Sequence, residues 1–233
     1  MADASTLANH PYDPYGTIVV SCTPRGAATM TAQPRHSISE EEYLAFERTS
    51  ATKHEYYNGR VYAMTGAKEP HNLIAGNLVA AFHSQLRRKP CRVYASDMRI
   101  RVVKTGLNTY PDITIVCGQP QFTDNVRDTI TNPIVIVEVL SASAERYDRG
   151  MKFENYRTID TLRDYILVAQ DHHHVEHFAR QERGLWIFQE AVDISAVMHI
   201  QSIECMLKLE ELYEKVDFEE GTSDITREIP PEA

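Results

Sequence analysis

Two apolar runs in the middle of the chain predict strands that are buried on both faces. Residues 110–118 read YPDITIVCG and residues 133–140 read PIVIVEVL. Both runs are short and rich in β-branched residues, which is typical of strands inside a covered sheet. Each run carries one acid, Asp112 in the first and Glu138 in the second. Because a carboxylate taken out of water is costly unless a cation, a metal or several donors compensate it, both acids need an explanation.

Periodicity and turn signals predict the elements around these strands. Ser39 followed three residues later by Glu42 is a capping box, which predicts a short helix over residues 41–48. Asn58-Gly59 between two strand-like runs predicts a hairpin within residues 54–64. Apolar positions three and four apart predict a helix over residues 71–88. The remaining predicted elements are a strand at 91–103, a helix at 144–158, a meander at 164–170, 174–180 and 185–191, and a closing helix at 208–216.

This mixture of helices and strands predicts the fold class. An α/β or α+β domain is expected, with a mixed β-sheet around the two central strands and helices flanking it. The length of 233 residues suits one sizeable domain. We assign that domain to residues 35–218. Residues 1–34 are expected to form a disordered leader, and residues 219–233 a disordered acidic tail.

The net charge of −9 is less informative than it looks. Five acids and one arginine in residues 219–233 contribute −4, so the body of the chain is close to balanced. A chain without a basic surplus is a poor candidate for tight, non-specific binding to duplex DNA. Contact with nucleic acid through a local basic patch remains open.

The cysteines and the hydropathy bear on the compartment. Cys22, Cys91, Cys117 and Cys205 show no paired spacing, so we expect reduced thiols and neither a disulfide framework nor a zinc knuckle. No run approaches the roughly 18 apolar residues of a membrane span, and the N-terminus does not resemble a secretory signal. The expected location is cytoplasmic.

The two acids suggest a shared site. If the strands that carry Asp112 and Glu138 are neighbours, both carboxylates can converge on one point. Hard divalent cations such as Mg²⁺ bind a few carboxylates together with water and substrate phosphate oxygens. Glu138 would then be tolerated as a metal ligand with Asp112 as its partner. Asp112 alone could equally be a strand-start acid after Pro111, and an arginine partner would suffice for Glu138.

Six sequence blocks resemble a known family. Pro111-Asp112 followed by Glu138 in a later strand resembles the PD-(D/E)XK nuclease superfamily, whose members share the restriction-endonuclease-like fold. The blocks HEYYNGRVYAM, PHNLIAGNL, SDMRIRV, YPDITIV, VEVLSAS and YDRGMKFENYR, in this order, resemble the Uma2 family of bacterial restriction-endonuclease-like proteins. The resemblance covers about residues 35–218. It implies a Mg²⁺-dependent endonuclease, with Mn²⁺ as the alternative metal, that hydrolyses DNA.

The resemblance also implies roles for individual residues. Asp112, Glu138 and the backbone carbonyl of Val139 would hold the metal, which lowers the pKa of bound water. The superfamily pattern places a lysine two residues after the glutamate, but position 140 is leucine. In sequences similar to Uma2 this lysine lies in an RG-x-K segment, which makes Lys152 the candidate. Lys152 would orient the water and neutralise charge in the transition state.

Four further residues are weaker candidates. Glu55, just before the Asn58-Gly59 turn, matches the N-terminal acid of the family and would complete the catalytic set. His71, at a helix start, is expected to contact water or phosphate. Arg99 and Arg101 alternate on one strand face, where a phosphate-binding patch and a solvated face are about equally expected.

Two other classes of function are weighed against the nuclease. A catalytically degenerate nucleic-acid-binding or regulatory protein that keeps the fold is favoured by the displaced lysine and the missing basic surplus. A zinc-binding protein is suggested by the four histidines in residues 171–178, DHHHVEHF, although a solvated hairpin accounts for them better. Cutting both strands of a duplex needs two active sites or two events, so a homodimer is also considered. Neither a DNA sequence specificity nor a pathway follows from the residues.

Overall fold

The computed structural model describes residues 37–142 and 144–218. The predicted leader, residues 1–34, and the predicted tail, residues 219–233, lie outside the described residues. The chain divides into two compact units, Met1–Met64 and Thr65–Ala233. The described part of each unit is presented by itself.

Within residues 37–64, the described part of the first unit, the chain forms one helix and one hairpin. Helix α1 spans Glu40–Glu47. The capping box is present as predicted, because Glu42 N–H donates to Ser39 Oγ at 3.1 Å and Ser39 N–H donates to Glu42 Oε2 at 2.7 Å. Strands β1 (His54–Tyr57) and β2 (Arg60–Ala63) pair antiparallel. Asn58 and Gly59 between them have φ of 49° and 75°, the left-handed conformation that a two-residue hairpin turn requires.

The second unit holds the other elements. In chain order they are α2 (Glu69–Leu86), β3 (Cys91–Ala95), β4 (Arg99–Val102), β5 (Leu107–Thr109), β6 (Ile113–Cys117), β7 (Thr129–Ile130), β8 (Val135–Leu140), α3 (Glu145–Tyr147), a π-helical turn (Asp148–Lys152), α4 (Phe153–Tyr156), β9 (Asp164–Ala169), β10 (Val175–Arg180), β11 (Trp186–Ala191), β12 (Val197–Ile200), β13 (Cys205–Lys208) and α5 (Leu209–Leu212).

A six-stranded mixed sheet forms the centre of this unit. Its order is β11-β10-β9-β8-β6-β3. Strands β8 and β9 are parallel, and every other neighbouring pair in this sheet is antiparallel. The two predicted apolar strands, β6 and β8, are therefore direct neighbours, as the site hypothesis requires. Separately, β4 pairs antiparallel with β5 and parallel with β7.

Helix α2 covers one face of the six-stranded sheet. Its buried residues recur at the helical spacing that the sequence predicts, and they pack on alternate positions of β6, β8 and β9. On β8 these positions are Val135, Val137 and Val139. Because side chains of a strand alternate between faces, Glu138 must point to the opposite face. The helical segment that follows β8 supplies that opposite face with partners, as the contacts below show.

Two predictions about elements need correction. The strand predicted at residues 91–103 is two strands, β3 and β4, separated by a turn. The closing helix predicted at residues 208–216 is only the short α5, and Lys208 belongs to β13, which pairs with Val197–Ile200 as a hairpin. Burial of alternate residues in that hairpin against the α2 core outweighs its weak sequence pattern.

The expectation of four reduced cysteines is wrong for two of them. Cys91 and Cys117 form a disulfide. The reason is the register of β3 and β6, which places these two residues directly opposite each other and which residue spacing alone does not reveal. Cys205 is free and buried. Among the residues that the structure describes, no helix has the length and apolar character needed to cross a membrane.

Candidate active site

Glu138 lies at the centre of the candidate site. It occupies the fourth position of β8 and is 3% exposed. The strand itself is apolar and pairs on both edges, with β6 and with β9. The carboxylate is buried because the strand that carries it is buried. The free-energy cost of removing it from water must be offset by the groups that face it.

Asp112 is brought next to Glu138 by strand register. Ile113 lies opposite Val137 in the antiparallel β6–β8 pair, so one further step places Asp112 opposite Glu138. Asp112 Oδ2 accepts the backbone N–H of Val139 at 2.7 Å. His71 Nε2, in the first turn of α2, lies 3.3 Å from the same oxygen. Asp112 is therefore anchored through Oδ2 by a strand and a helix.

Lys152 reaches Glu138 from the helical segment after β8. Its Nζ donates to Glu138 Oε1 at 3.1 Å and lies 3.1 Å from Asp148 Oδ1. Tyr156 Oη–H donates to the same glutamate oxygen at 2.8 Å. The structure thus brings the displaced lysine into contact with Glu138, one acid of the pair.

The charges around Glu138 are not fully compensated. Burial raises the pKa of Glu138, Lys152 lowers it, and Asp148 and Asp112 raise it again, with a net value of about 8. For His71 burial lowers the pKa, but the hydrogen bond and the charge of Asp112 outweigh burial, so that the pKa lies above its usual 6.5. Both shifts have the sign expected where negative charge exceeds positive charge.

Each acid of the pair keeps one oxygen available. Within residues 37–142 and 144–218, Asp112 is hydrogen-bonded through Oδ2 and Glu138 through Oε1. No hydrogen bond in that part of the chain engages Asp112 Oδ1 or Glu138 Oε2. Two oxygens fixed in place and two left for a ligand is an arrangement suited to a cation.

The donor set fits Mg²⁺ in type. The N–H and C=O of one strand residue point to the same edge, so the carbonyl of Val139 lies on the side where its N–H meets Asp112. Two carboxylates and a carbonyl are hard oxygen donors, and Mg²⁺ keeps several waters besides such ligands. In the described residues no group of three or more His, Cys, Asp or Glu side chains is arranged to hold a metal. Any metal here would therefore depend on water and substrate for the rest of its shell.

Of the weaker candidates, His71 contacts Asp112, and the other three are described in turn. Glu55 is a buried residue of β1 in the first unit, and its assigned role stays a prediction. Arg101 lies opposite Asn108 in the β4–β5 pair and likewise stays a prediction. Arg99 does not form the exposed phosphate patch that strand alternation suggested. Its side chain is 2% exposed, donates to Thr129 Oγ1 at 2.8 Å and pairs with Asp128 at 3.1 Å.

Two residues that the sequence analysis did not select belong to the site. Asp148 is a buried acid beside Lys152, and Tyr156 orients Glu138. The spacing of Asp148 and Lys152, four residues apart in a predicted helix, was an available signal for the first. No pattern could have indicated Tyr156, because its contact joins residues from a helix and a strand 18 positions apart.

The histidine run is only in part the solvated hairpin that the sequence predicts, because the side chains of His174 and His177 are 17% and 2% exposed. Residues 171–173 form the turn between β9 and β10, and His172 is 61% exposed. His174 Nε2 lies 3.1 Å from Glu190 Oε2. A zinc site at this run finds no support in the described residues.

The fold is that of a nuclease-like α+β protein. The chain superposes on the crystal structure of a "putative nuclease belonging to DUF820" from Anabaena variabilis with a TM-score of 0.63. The match covers 76% of this chain and 97% of that chain, at 15% sequence identity. At this identity the likeness establishes the fold.

Sequence comparison gives the family. Residues 40–210 match the family Uma2, described as "Putative restriction endonuclease", and the chain belongs to this family. The "Uncharacterized protein sll1609" of Synechocystis sp. is 33% identical over 159 residues, covering 68% of this chain and 90% of that protein. The "Uncharacterized protein slr1290" of the same organism is 33% identical over 185 residues, covering 79% and 96%.

Proposed function

We propose that this protein is a Mg²⁺-dependent endonuclease that hydrolyses phosphodiester bonds of DNA. One observation carries the proposal. Lys152 Nζ lies 3.1 Å from Glu138 Oε1, although the lysine is absent from its usual place in the strand. Family membership and the nuclease-like fold support the same class of reaction.

The proposed ligands of the metal are Asp112, Glu138 and the carbonyl of Val139. Bound Mg²⁺, or Mn²⁺ in its place, would lower the pKa of an attacking water and polarise the scissile phosphate. The available oxygens of the two acids support this assignment. His71 would act through Asp112, because its Nε2 lies against the oxygen that is already anchored.

Lys152 would act on the water and on the phosphate. Its ammonium is buried, which strengthens its interaction with charge that develops in the transition state. Tyr156 holds Glu138 in one rotamer through a 2.8 Å hydrogen bond, so the acid need not be reorganised during the reaction. A homodimer would supply two such sites for the two strands of a duplex.

The decisive experiment compares wild type with Glu138→Ala. Supercoiled and single-stranded DNA are each incubated with Mg²⁺, Mn²⁺ or EDTA, and calorimetry measures metal binding by both proteins. Metal-dependent cleavage by wild type alone is the expected result. Wild type that neither cleaves DNA nor binds metal would replace this proposal with the alternative, a catalytically degenerate nucleic-acid-binding or regulatory protein that keeps the nuclease fold.

A further inference from the structure

Asp148 is a buried acid that the mechanism above leaves without a role. Its side chain is 3% exposed, and it begins the π-helical turn Asp148–Lys152. An ionised acid in such a position needs compensation, which an exposed helical acid would not. The question is what this acid contributes to the site beside it.

Asp148 and Glu138 share one ammonium group. Asp148 Oδ1 and Glu138 Oε1 each lie 3.1 Å from Lys152 Nζ. The backbone of Asp148 is fixed as well, because its carbonyl accepts a 3.0 Å hydrogen bond from Tyr165 Oη–H of β9. Lys152 is thus held from two sides, by the strand that carries the candidate metal ligand and by its own helical segment.

Asp148 and Lys152 are the first and last residues of one π-helical turn. Such turns occur often at functional sites. The two residues are four positions apart, a spacing that places side chains on the same side of a helical segment. The local backbone therefore supports the pairing of these two residues.

The two acids differ in what the proposed reaction demands of them. Glu138 would share its charge with the metal, and its attraction for Lys152 would weaken accordingly. A lysine side chain released from its partner gains rotamer entropy, which favours its leaving that position. Asp148 is not among the proposed ligands and would keep its full attraction.

We infer that Asp148 is a positioning residue that holds Lys152 Nζ at the acid pair while Glu138 binds the metal. This inference rests on the proposed function and deepens it. It assigns to Asp148 an effect on the chemical step that is exerted through Lys152, without contact to the metal or to DNA.

A double-mutant cycle tests the inference. Wild type, Asp148→Asn, Lys152→Met and the double variant are compared for kcat and KM at saturating Mg²⁺. We expect Asp148→Asn to lower kcat about 10- to 100-fold, with KM for DNA changed less than about two-fold. In the Lys152→Met background the same change should cost less than about two-fold, because the lysine it positions is gone.

The matched control is Asp164→Asn. Asp164 is also a buried acid, 3% exposed, but it lies at the other end of the β8–β9 pair and touches neither Lys152 nor Glu138. We expect it to lower Tm and leave kcat unchanged. This separates loss of a buried charge in general from loss of the charge beside Lys152.

Each outcome is decisive. An equal loss of kcat in both backgrounds, or no loss in either, would overturn the inference and leave the proposed function intact. Wild type without cleavage would overturn the proposed function. In that case the same four proteins are compared by thermal unfolding: a double variant that loses less Tm than the sum of the single variants shows that Asp148 holds Lys152, and strict additivity shows that it does not.

Discussion

The paired strands β8 and β9 bury an acid at each end, and the two ends treat their acids differently. Asp164, opposite Val135, is bound through both oxygens: His177 Nε2 lies 2.7 Å from Oδ1, and Ser202 Oγ–H donates to Oδ2. Glu138, three residues further along the sheet, is bound through Oε1 alone within the described chain.

We propose that this difference separates a structural acid, Asp164, from a functional one, Glu138. Burial is nearly the same, 3% exposed for each. What differs is how completely hydrogen bonds within the described residues engage the carboxylate, and the incompletely engaged Glu138 has the charges of Asp148 and Asp112 beside it. Burial of an acid in a strand is therefore weak evidence for a site, whereas an acid with a free oxygen and like charges nearby is strong evidence.

The largest expected effect is the loss of DNA cleavage in variants at the Glu138 end of the β8–β9 pair, and not in a variant at the Asp164 end. Asp112→Ala and Glu138→Ala should each reduce kcat roughly 10³-fold or more, because each removes a group that stabilises charge in the transition state. Asp164→Asn should keep wild-type kcat in a plasmid-nicking assay at a temperature where circular dichroism shows it folded. Equal losses in all three variants would erase the distinction between the two ends.

The second effect is a pH dependence of stability that belongs to Glu138. Its folded pKa of about 8 is raised above the unfolded value of 4.5, so the folded state holds the proton more tightly. The resulting stabilisation is fully present below pH 4.5 and is lost as the pH rises through 8. Metal-free wild type should therefore lose roughly 2–4 kcal/mol between pH 5 and 9 through this group.

Glu138→Gln isolates that contribution. The variant keeps His71, whose raised pKa also makes stability fall with rising pH, so the difference between the two proteins reports Glu138 alone. The measurement is urea unfolding at pH 5, 7 and 9 with EDTA present. If the free energy of unfolding changed with pH in the same way in wild type and variant, the Glu138 carboxylate would be compensated by its protein partners without metal. Glu138 would then not differ from Asp164 in this respect.

How much of the fold and of the candidate site could be predicted depends on how far apart in the sequence the contacting residues lie. The capping box of Ser39, the Asn58-Gly59 hairpin and helix α2 follow from local patterns, and all are present. The acids Asp112 and Glu138 stood out because a buried strand normally excludes them. Local chemistry was sufficient for each of these.

Register and long-range pairing could not be read. The Cys91–Cys117 disulfide depends on how β3 aligns with β6. For Arg99 a phosphate-binding patch and a solvated face were about equally expected, because alternation gives a face but does not say what covers it. In the structure Asp128 and Thr129 contact its side chain. Asp148 was overlooked because a helical acid is normally solvated, whereas here it is buried beside Lys152.

The third effect concerns the structural end. His177→Ala should destabilise the protein by roughly 3 kcal/mol, because it removes a partner of the buried Asp164. Cleavage at a permissive temperature should be unaffected. His172→Ala, at an exposed histidine of the same hairpin, is the control and should change stability by less than about 0.5 kcal/mol. Lost cleavage in a folded His177→Ala protein would show that this end also takes part in the chemistry.

The smallest expected effect tests whether a raised pKa alone indicates an active-site residue. Burial raises the pKa of Tyr213 to about 12. Yet its hydroxyl is fully engaged: it donates to the carbonyls of Ala169 and His174 and accepts the N–H of His174, at 3.0 to 3.1 Å. Tyr213 therefore resembles Asp164 in its complete hydrogen bonding and Glu138 in its raised pKa. We expect it to affect stability and not cleavage.

The sign follows from the direction of the shift. The folded pKa is above the unfolded value of 10.0, so the contribution is complete below pH 10 and is lost as the pH rises through 12. Tyr213→Phe should lose about 1 kcal/mol at pH 7 and show a shallower further loss between pH 10 and 12 than wild type. Thermal unfolding across that range, beside cleavage at pH 8, measures both. Impaired cleavage with normal stability would mean that a group with a raised pKa can take part in cleavage even when its hydrogen bonds are complete. Complete hydrogen bonding would then no longer distinguish Asp164 from Glu138.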